Sequence, residues 1–400
     1  MTVTYGDHSF LRLLLRWRGG IWKSLWRSLL VYLILFVGVQ LTYRFALSSE
    51  QQIVFEALVL SVEAWLPRIP LQFLLGFFVS YIVRQWWDQL LSIAWPDKFL
   101  VQLTANLPGT DDDVRLVRRT IARWANLHSV LVWKEISLKI KKRFPRDEHL
   151  VKCGLMTAEE YELYENTTST YGRWFIPISW IVNLLVEQKQ QQKISEIGFQ
   201  KLVETVYAFR GNNGMLTIYD WVNVPLRYTQ LATLATYGYF ILCLIARQVV
   251  PRIYKGVAME IFLPLDTMLE FVFYVGWLKV AEEYRIPFGE DDDDFDMNYI
   301  LDRDIHVSNM LVDELSFHKP RLERDIFWGN RNPSLPHTIA SYPTKAPIPN
   351  WRLHYIKVSD ENSAILPSTI SNEAVIPVPY ALTVPVAKDG TAENIPLVRT

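Results

Sequence analysis

Four long apolar stretches set the strongest limit on how this chain can fold; they are residues 29–46, 69–83, 228–249 and 257–280. A helix needs about 20 mostly apolar residues to cross the hydrocarbon core of a bilayer, and three of the stretches approach or exceed that length. The second stretch is shorter, but Trp65 before it and the pair Trp86-Trp87 after it supply residues that often anchor helices at the membrane interface. The sequence therefore predicts four transmembrane helices in a lipid bilayer.

The segments outside these stretches carry the charges that orient the chain. The first 27 residues form a short basic segment, and residues 88–227 are rich in lysine and arginine. Basic segments next to transmembrane helices tend to stay on the cytoplasmic side. We therefore expect both termini and the 88–227 region to lie in the cytoplasm.

Composition argues against nucleic-acid binding and against cysteine-based structural sites. A net charge of −1 argues against a nucleic-acid-binding protein. The two cysteines, Cys153 and Cys243, lie far apart in dissimilar surroundings. This arrangement excludes a disulfide framework and a cysteine-ligated zinc site.

The 88–227 region has helical patterns throughout. Thr110, followed by three aspartates, predicts a helix N-cap with an acidic first turn, and apolar residues at helical spacing follow it. Residues 175–186 are apolar but too short to span a bilayer, so they predict a buried helix. Strand-like alternation is absent here, so we predict an all-α membrane protein. From about Pro333 onward, Pro, Ser and Thr accumulate without a period, which predicts a disordered tail.

These patterns divide the chain into six segments. They are a cytosolic N-terminal segment (1–27), a first transmembrane pair (28–87), a helical cytosolic region (88–227), a second transmembrane pair (228–281), an acidic cytosolic segment (282–330) and a disordered C-terminal tail (331–400).

An acidic run, residues 290–294, follows the fourth apolar stretch. Adjacent carboxylates repel one another, and a free acidic run is usually a solvated loop. Here Pro287, Gly289 and Phe295 flank the run, and patterned sequence follows it. Carboxylates held beside structured backbone suit a hard cation with oxygen ligands. A cation site and a solvated loop both remain open, although the spacing does not match an EF-hand.

Residues 292–296 also fit a DDxxD pattern, which could hold Mg²⁺ against a diphosphate in a membrane prenyltransferase. Such a site needs a second carboxylate cluster facing the first. The other dense cluster, residues 111–113, is better explained as the start of a helix. Because HExxH, P-loop and GxSxG motifs are also absent, we predict that the chain is not an enzyme and keep the prenyltransferase as a remote alternative.

Two further patterns lie inside the apolar stretches. Ile69, Phe73 and Phe77 recur every four residues, which predicts one stripe along a helix. The stripe could pack against neighbouring helices, or copies of it around an axis could form a constriction that closes a pore by dewetting. Asp266 and Glu270 are four residues apart and predict a charged face that points either into the bundle or to the outer interface.

Several motifs occur in an order that is typical of one family. They are Met1-Thr2-Val3-Thr4-Tyr5, Ile69-Pro70 through Gly76-Phe77, Trp95-Pro96-Asp97, Arg143-Phe144-Pro145, Tyr219-Asp220-Trp221, and the long run from Phe273 to Glu282 that continues through Pro287-Phe288-Gly289-Glu290 into four aspartates. With these motifs the chain resembles the bestrophins, a family of calcium-activated anion channels. The resemblance covers roughly residues 1–330.

The resemblance implies a homopentamer around one pore, located in the plasma membrane, that conducts chloride and other small anions. It implies a pore neck at Ile69, Phe73 and Phe77 and a cytosolic aperture at Ile197. For Ca²⁺ it implies the side chains of Asp291 and Asp294, the backbone carbonyls of Glu283 and Ile286, and one carbonyl from the N-terminal segment of a neighbouring subunit.

The sequence departs from the family pattern in three places. Between Tyr5 and Phe10 it is several residues shorter, and the missing part should include the N-terminal Ca²⁺ ligand. Glu283 and Ile286 replace a usual Gln and Asn, which matters less where backbone carbonyls are the ligands. Asp266 and Glu270 stand where the family is usually uncharged.

A non-conducting scaffold that senses Ca²⁺ and regulates other channels is the alternative function.

Overall fold

The computed structural model describes residues 10–248, 250, 264–330 and 335, together with the backbone of three short strands near the C-terminus. The chain divides into two compact units, residues 1–320 and residues 321–400. Within its described residues, the first unit contains helices and no strands. The all-α prediction therefore holds for this part of the chain.

The first unit contains fourteen α-helices among its described residues. They are α1 (Phe10–Leu14), α2 (Ile21–Leu41), α3 (Ser49–Glu63), α4 (Leu71–Leu91), α5 (Asp97–Asn106), α6 (Asp112–Ile136), α7 (Leu138–Arg143), α8 (Glu148–Lys152), α9 (Ala158–Asn166), α10 (Ile176–Gln190), α11 (Glu196–Trp221), α12 (Leu226–Ala246), α13 (Leu265–Tyr284) and α14 (Met297–Val312). A π-helical turn, Thr42–Ala46, continues α2, and a 3₁₀ turn, Leu66–Arg68, precedes α4.

Two helices are long and apolar enough to cross a membrane, namely α2 with its π-helical turn and α12. The helices α3 and α4 meet at a bend of 45° and could together form a third span. Helix α13 has 20 residues but carries five charged side chains. Residues 257–263 of the fourth predicted span lie outside the described residues, so the total of four spans stays a prediction.

The sequence patterns did not predict helix α3, which lies between two of the apolar stretches. It begins with a capping box. The Ser48 hydroxyl accepts from Gln51 N at 3.4 Å, and the Gln51 side-chain oxygen accepts from Ser48 N at 2.9 Å. These two bonds satisfy N–H groups that a helix start otherwise leaves without partners.

The apolar helices pack through aromatic contacts. Helix α13 packs against α2 and α4, and α12 packs against α3 and α4. Tyr32 stacks on Phe271 at a ring-centroid distance of 4.8 Å, and Phe240 meets Phe271 edge to face at 4.9 Å. Because aromatic pairs of this geometry add to the free energy of burial, they fix α2, α12 and α13 against one another.

The region between residues 88 and 227 is organised around α6. Residues 125–133 of this helix are all buried and include Trp133, and α6 packs against α10, α11 and α14. The predicted acidic start is confirmed, although the N-cap is Asp111 and not Thr110. The apolar stretch 175–186 lies in α10, where Ile181 and Leu185 are fully buried, as predicted for a buried helix.

A buried polar network joins α6 to α11. The Asn213 side-chain oxygen accepts from Trp133 Nε1 at 3.1 Å, and its amide donates to the Ser129 hydroxyl at 3.1 Å. We expect Asn213→Ala to cost about 1–3 kcal/mol, because a buried N–H and a buried hydroxyl lose their partner. The midpoint of thermal unfolding of the purified protein should fall by a few degrees. Asn166→Ala changes an exposed site at the end of α9 and should leave the unfolding midpoint unchanged. Equal midpoints for Asn213→Ala and the native protein would contradict this prediction.

The second unit contains a three-stranded antiparallel sheet among its described residues. The strands are β1 (Lys357–Val358), β2 (Leu382–Lys388) and β3 (Thr391–Leu397), in the order β1-β2-β3. Most of the predicted disordered tail, residues 331–400, lies outside the described residues, so the disorder of the tail as a whole stays a prediction. The sequence of β2 alternates apolar residues with a period of two, and Asp389-Gly390 between β2 and β3 is a dipeptide favoured in two-residue hairpins.

Candidate pore-lining and cation-binding residues

One face of α4 is buried and the opposite face carries two exposed phenylalanines. The buried residues include Leu75, Phe78 and Ile82. Phe73 and Phe77 remain 64% and 59% exposed, and their ring centroids lie 4.7 Å apart. Within a single chain these two rings therefore form an apolar ridge on the exposed side of α4, a helix that also carries other exposed apolar side chains, including Tyr81, Trp87 and Leu91.

Ile69 does not belong to this helical stripe. It follows the 3₁₀ turn with extended backbone (φ −83°, ψ 112°), and α4 begins only at Leu71. The prediction of one helical stripe through all three residues is therefore wrong at Ile69. The physical reason is Pro70, since the residue before a proline is disfavoured in the α conformation. Ile69 is half-buried against the aromatic cluster of α2, α12 and α13.

Ile197 lies in the first turn of α11. Ser195 caps this helix by accepting a hydrogen bond from Gly198 N at 3.1 Å. The Ile197 side chain is 67% exposed, which leaves it accessible at the surface of the chain. Its role as an aperture stays a prediction.

The acidic run occupies the connection between α13 and α14 and is anchored by apolar residues. Phe288 and Phe295 are buried, and their rings meet at 5.5 Å. Phe295 also lies 5.1 Å from the ring of Trp86 on α4, and its backbone N–H donates to Pro287 O at 2.8 Å. The run is therefore a packed connection and not a freely solvated loop.

Asp294 is the buried carboxylate of this connection. Its side chain is 4% exposed, and Oδ2 accepts from the backbone N–H of Asp291 at 2.6 Å. Gly289 makes room for it, because a Cβ at that position would lie 2.7 Å from Asp294 Oδ2. Burial raises the pKa of Asp294, and the nearby charges of Asp291 and Asp293 raise the pKa further.

Asp292 points to a different partner. It accepts from Lys23 Nζ at 2.5 Å, from Gly19 N at 3.3 Å and from Arg18 Nε at 3.4 Å. These hydrogen bonds hold the pKa of Asp292 below its usual range. The acidic connection is thus tied to the start of α2 in the same chain. Sequence reasoning missed this contact because the partners lie more than 260 residues apart.

The other two predicted Ca²⁺-binding positions lie close to this carboxylate group. The Glu283 side chain accepts a hydrogen bond from the Ser24 hydroxyl. The Ile286 carbonyl lies beside Gly289, near the position a Cβ there would occupy. The N-terminal segment that should supply a further ligand, residues 1–9, lies outside the described residues.

The acidic connection encloses a cavity of about 60 Å³ next to the start of α2, which Glu283 and all four aspartates help to line. Its donors are carboxylate and carbonyl oxygens, which are the ligands of hard cations such as Ca²⁺. Among the described residues, however, no group of three or more His, Cys, Asp or Glu side chains is arranged to hold a metal ion. A cation here would therefore need backbone carbonyls in addition to Asp294.

Glu270 has a partner that the sequence analysis did not foresee. It accepts from the Tyr239 hydroxyl at 3.1 Å and lies 3.8 Å from the Arg247 guanidinium, both from α12 and the turn after it. Asp266 is exposed. Of the two alternatives for this charged face, Glu270 therefore fits the interior one and Asp266 the surface one.

Comparisons with known proteins agree with this architecture. Residues 1–314 match the family model described as "Bestrophin, RFP-TM, chloride channel". The chain is 42% identical to bestrophin homolog 14 of Caenorhabditis elegans, over 92% of this chain and 89% of that protein. It is 41% identical to bestrophin-1 of Sus scrofa, over 87% of this chain and 61% of that protein.

The fold also resembles a solved structure. A variant of a bacterial bestrophin homologue from Klebsiella pneumoniae superposes with a TM-score of 0.52 at 15% identity, over 72% of this chain and 99% of that chain. The identity is low, so this likeness concerns the fold alone. The match to the family model and the close relatives lead to one conclusion: this chain belongs to the bestrophin family.

Proposed function

We propose that this chain is a subunit of a calcium-gated channel for chloride and other small anions, with five copies around one pore. The family is described as a chloride channel. The observation that supports a pore in this chain is the exposed Phe73–Phe77 ridge on α4. Large apolar rings on the exposed side of a helix suit a surface that faces lipid, another subunit or a pore.

In this proposal the ridge forms the pore neck. Repetition of the two rings around an axis produces a narrow apolar constriction, which closes a pore by expelling water. Aromatic ring edges carry partial positive charge, so edges turned toward the axis favour anions. Ile69, immediately before α4, extends the neck beyond the end of the helix. Ile197, exposed at the start of α11, forms the aperture on the cytosolic side.

The proposed Ca²⁺ ligands are the side chains of Asp291 and Asp294 and the carbonyls of Glu283 and Ile286. When bound, Ca²⁺ supplies positive charge that offsets the crowded carboxylates of the acidic connection. Asp294 is already held in place by the Asp291 backbone N–H, and Asp292 keeps the connection against Lys23 and the start of α2.

The same connection contacts the neck helix. The ring of Trp86 lies 5.1 Å from that of Phe295 and stacks at 5.3 Å on that of Tyr284, the last residue of α13. Both Trp86 and the ridge residues lie on α4. A change in the order of the acidic connection can therefore shift α4, and with it the neck, through direct ring contacts.

Recording from purified protein in planar bilayers, with Ca²⁺ stepped on one side, tests the proposal. We expect chloride-selective current that rises with Ca²⁺. Binding of Ca²⁺ without any anion current would instead favour the non-conducting scaffold. The prenyltransferase alternative gains no support, because no second carboxylate cluster joins the acidic connection within the described residues.

Membrane topology is tested with the native cysteines. Cys153 is exposed in the helical region between the two transmembrane pairs, and Cys243 is buried. We propose that the 88–227 region and both termini are cytoplasmic, in the plasma membrane. An impermeant maleimide should therefore label the chain only after permeabilisation of the cells, and Cys153→Ser should remove that labelling. Labelling of Cys153 in intact cells would overturn this topology.

A further inference from the structure

A cavity of about 580 Å³ lies between the first half of α6, the turn at residues 153–155 and α14. Small-molecule sites typically have volumes of roughly 300–1,000 Å³. This cavity is therefore far too large for a single chloride ion, and it shares no lining residue with the cavity beside the acidic connection. Neither the proposed pore nor the proposed Ca²⁺ site uses it.

Three arginines line one side of the cavity. Arg115, Arg119 and Arg123 are spaced four residues apart on α6 and lie on one face of that helix. Like charges at this spacing destabilise a helix by a few tenths of a kcal/mol per pair. The arrangement therefore calls for negative charge on the same face.

Three carboxylates, Asp112, Asp313 and Glu160, lie near these arginines, but Arg115 and Arg119 form hydrogen bonds to only one of them, Asp313. Asp313 accepts from Arg115 Nε at 3.0 Å and Nη2 at 3.2 Å, and from Arg119 Nη1 at 2.5 Å. Arg123 forms its own pair with Glu160, at 2.5 and 2.6 Å. Two guanidinium groups thus share the single carboxylate of Asp313.

Arg119 retains the most unused hydrogen-bonding capacity. A guanidinium has five N–H donors, and Arg119 uses one of them within the described part of the chain. Its side chain is 44% exposed, so an incoming anion can reach the remaining donors. The fork of N–H groups matches the oxygens of a phosphate or a carboxylate.

The rest of the lining is mixed. Leu116, Leu155 and Ile305 provide apolar surface. Thr120 and Asn309 provide hydroxyl and amide groups, and Asp112 adds one carboxylate. Such a lining accommodates a molecule with an anionic group at one end and an apolar body at the other. A phosphate monoester carries about −1.5 to −2 charges at neutral pH, so it offers two arginines more charge than the one carboxylate they now share.

We propose that this cavity binds a phosphorylated small molecule with an apolar body, held by Arg115 and Arg119 in competition with Asp313. The site is separate from the proposed neck and acidic connection. A simple carboxylate ligand should bind more weakly, because it offers the arginines no more charge than Asp313 already does.

Isothermal titration of the full-length, detergent-solubilised protein with phenyl phosphate tests the site. We expect saturable binding with one ligand per subunit, weaker binding of benzoate, and a loss of affinity at high salt because the arginines are partly exposed. Arg119→Gln should weaken binding about tenfold or more, as expected for a lost charge-assisted hydrogen bond. Asp313→Asn should strengthen binding, since it removes the competing carboxylate. Arg146→Gln, an exposed arginine outside the cavity, should change nothing.

The proposal is wrong if neither the native protein nor Asp313→Asn binds phenyl phosphate. The arginines would then serve only to hold α6 against α14. Arg119→Lys keeps the charge without the fork, and it replaces Arg119→Gln if that variant fails to fold. Equal binding by Arg119→Gln, Arg146→Gln and the native protein would also exclude Arg119 as a ligand, and equal binding by Arg119→Lys would exclude a role for the fork of N–H groups.

Discussion

Phe77→Ala is expected to produce a channel that conducts in the absence of Ca²⁺. In the proposed neck, Phe77 and Phe73 keep the closed pore dry, and removal of a phenyl ring from each subunit leaves room for water to remain. Open probability without Ca²⁺ should rise by an order of magnitude or more, and Phe73→Ala should act in the same direction. Single-channel recording in planar bilayers at nominally zero Ca²⁺ measures the effect.

The burial pattern of α4 separates this effect from a loss of folding. Phe77 is 59% exposed in the chain, whereas its neighbour Phe78 is 3% exposed. Phe78→Ala should cost about 3–5 kcal/mol of stability and reduce the yield of folded protein. Phe77→Ala should leave the yield intact. Phe45→Ala, at an exposed phenylalanine after α2, is the matched control and should keep Ca²⁺-dependent gating. Unchanged open probability in Phe77→Ala would place the neck elsewhere.

Much of the helical fold could be predicted because its signals are local. The acidic first turn of α6 and the apolar face of α10 depend on residues within one or two turns, and the structure agrees with both. The helical stripe through Ile69 failed for an equally local reason, the conformational limit that Pro70 imposes on the preceding residue. Helix α3 was not predicted because it lies between two of the apolar stretches, although its capping box is also a local signal.

The candidate sites depend more on contacts that a single sequence does not display. The acidic run and its flanking aromatic residues identify a packed segment, but nothing near Asp292 indicates Lys23 as its partner. Likewise, Glu270 looks like an unexplained charge until α12 brings Tyr239 and Arg247 next to it. Such pairings are set by the tertiary packing of distant helices, so periodicity and spacing cannot reveal them.

Asp294→Asn is expected to weaken the Ca²⁺ response by at least about tenfold, because Ca²⁺ affinity depends on the number of charged oxygen ligands. The substitution keeps the size of the side chain and an oxygen that can accept from Asp291 N, so the acidic connection should still fold. Asp291→Ala should abolish the response. Asp292→Asn should shift it modestly, since Asp292 is engaged by Lys23 and Arg18 and is not a proposed ligand. Calorimetric titration with Ca²⁺ and bilayer recording both measure the relative effects of these three substitutions.

Asp302→Asn is the control for charge, because Asp302 is an exposed carboxylate on α14 that pairs with Arg143. If it weakened the response as much as Asp294→Asn, the acidic connection would act only through net charge and would hold no ion.

The shortened N-terminus gives a second test. Each missing oxygen ligand weakens a Ca²⁺ site, so insertion of the missing family segment after Tyr5 should sharpen the response. Tight binding by the native chain that the insertion leaves unchanged would show that the site closes without that carbonyl.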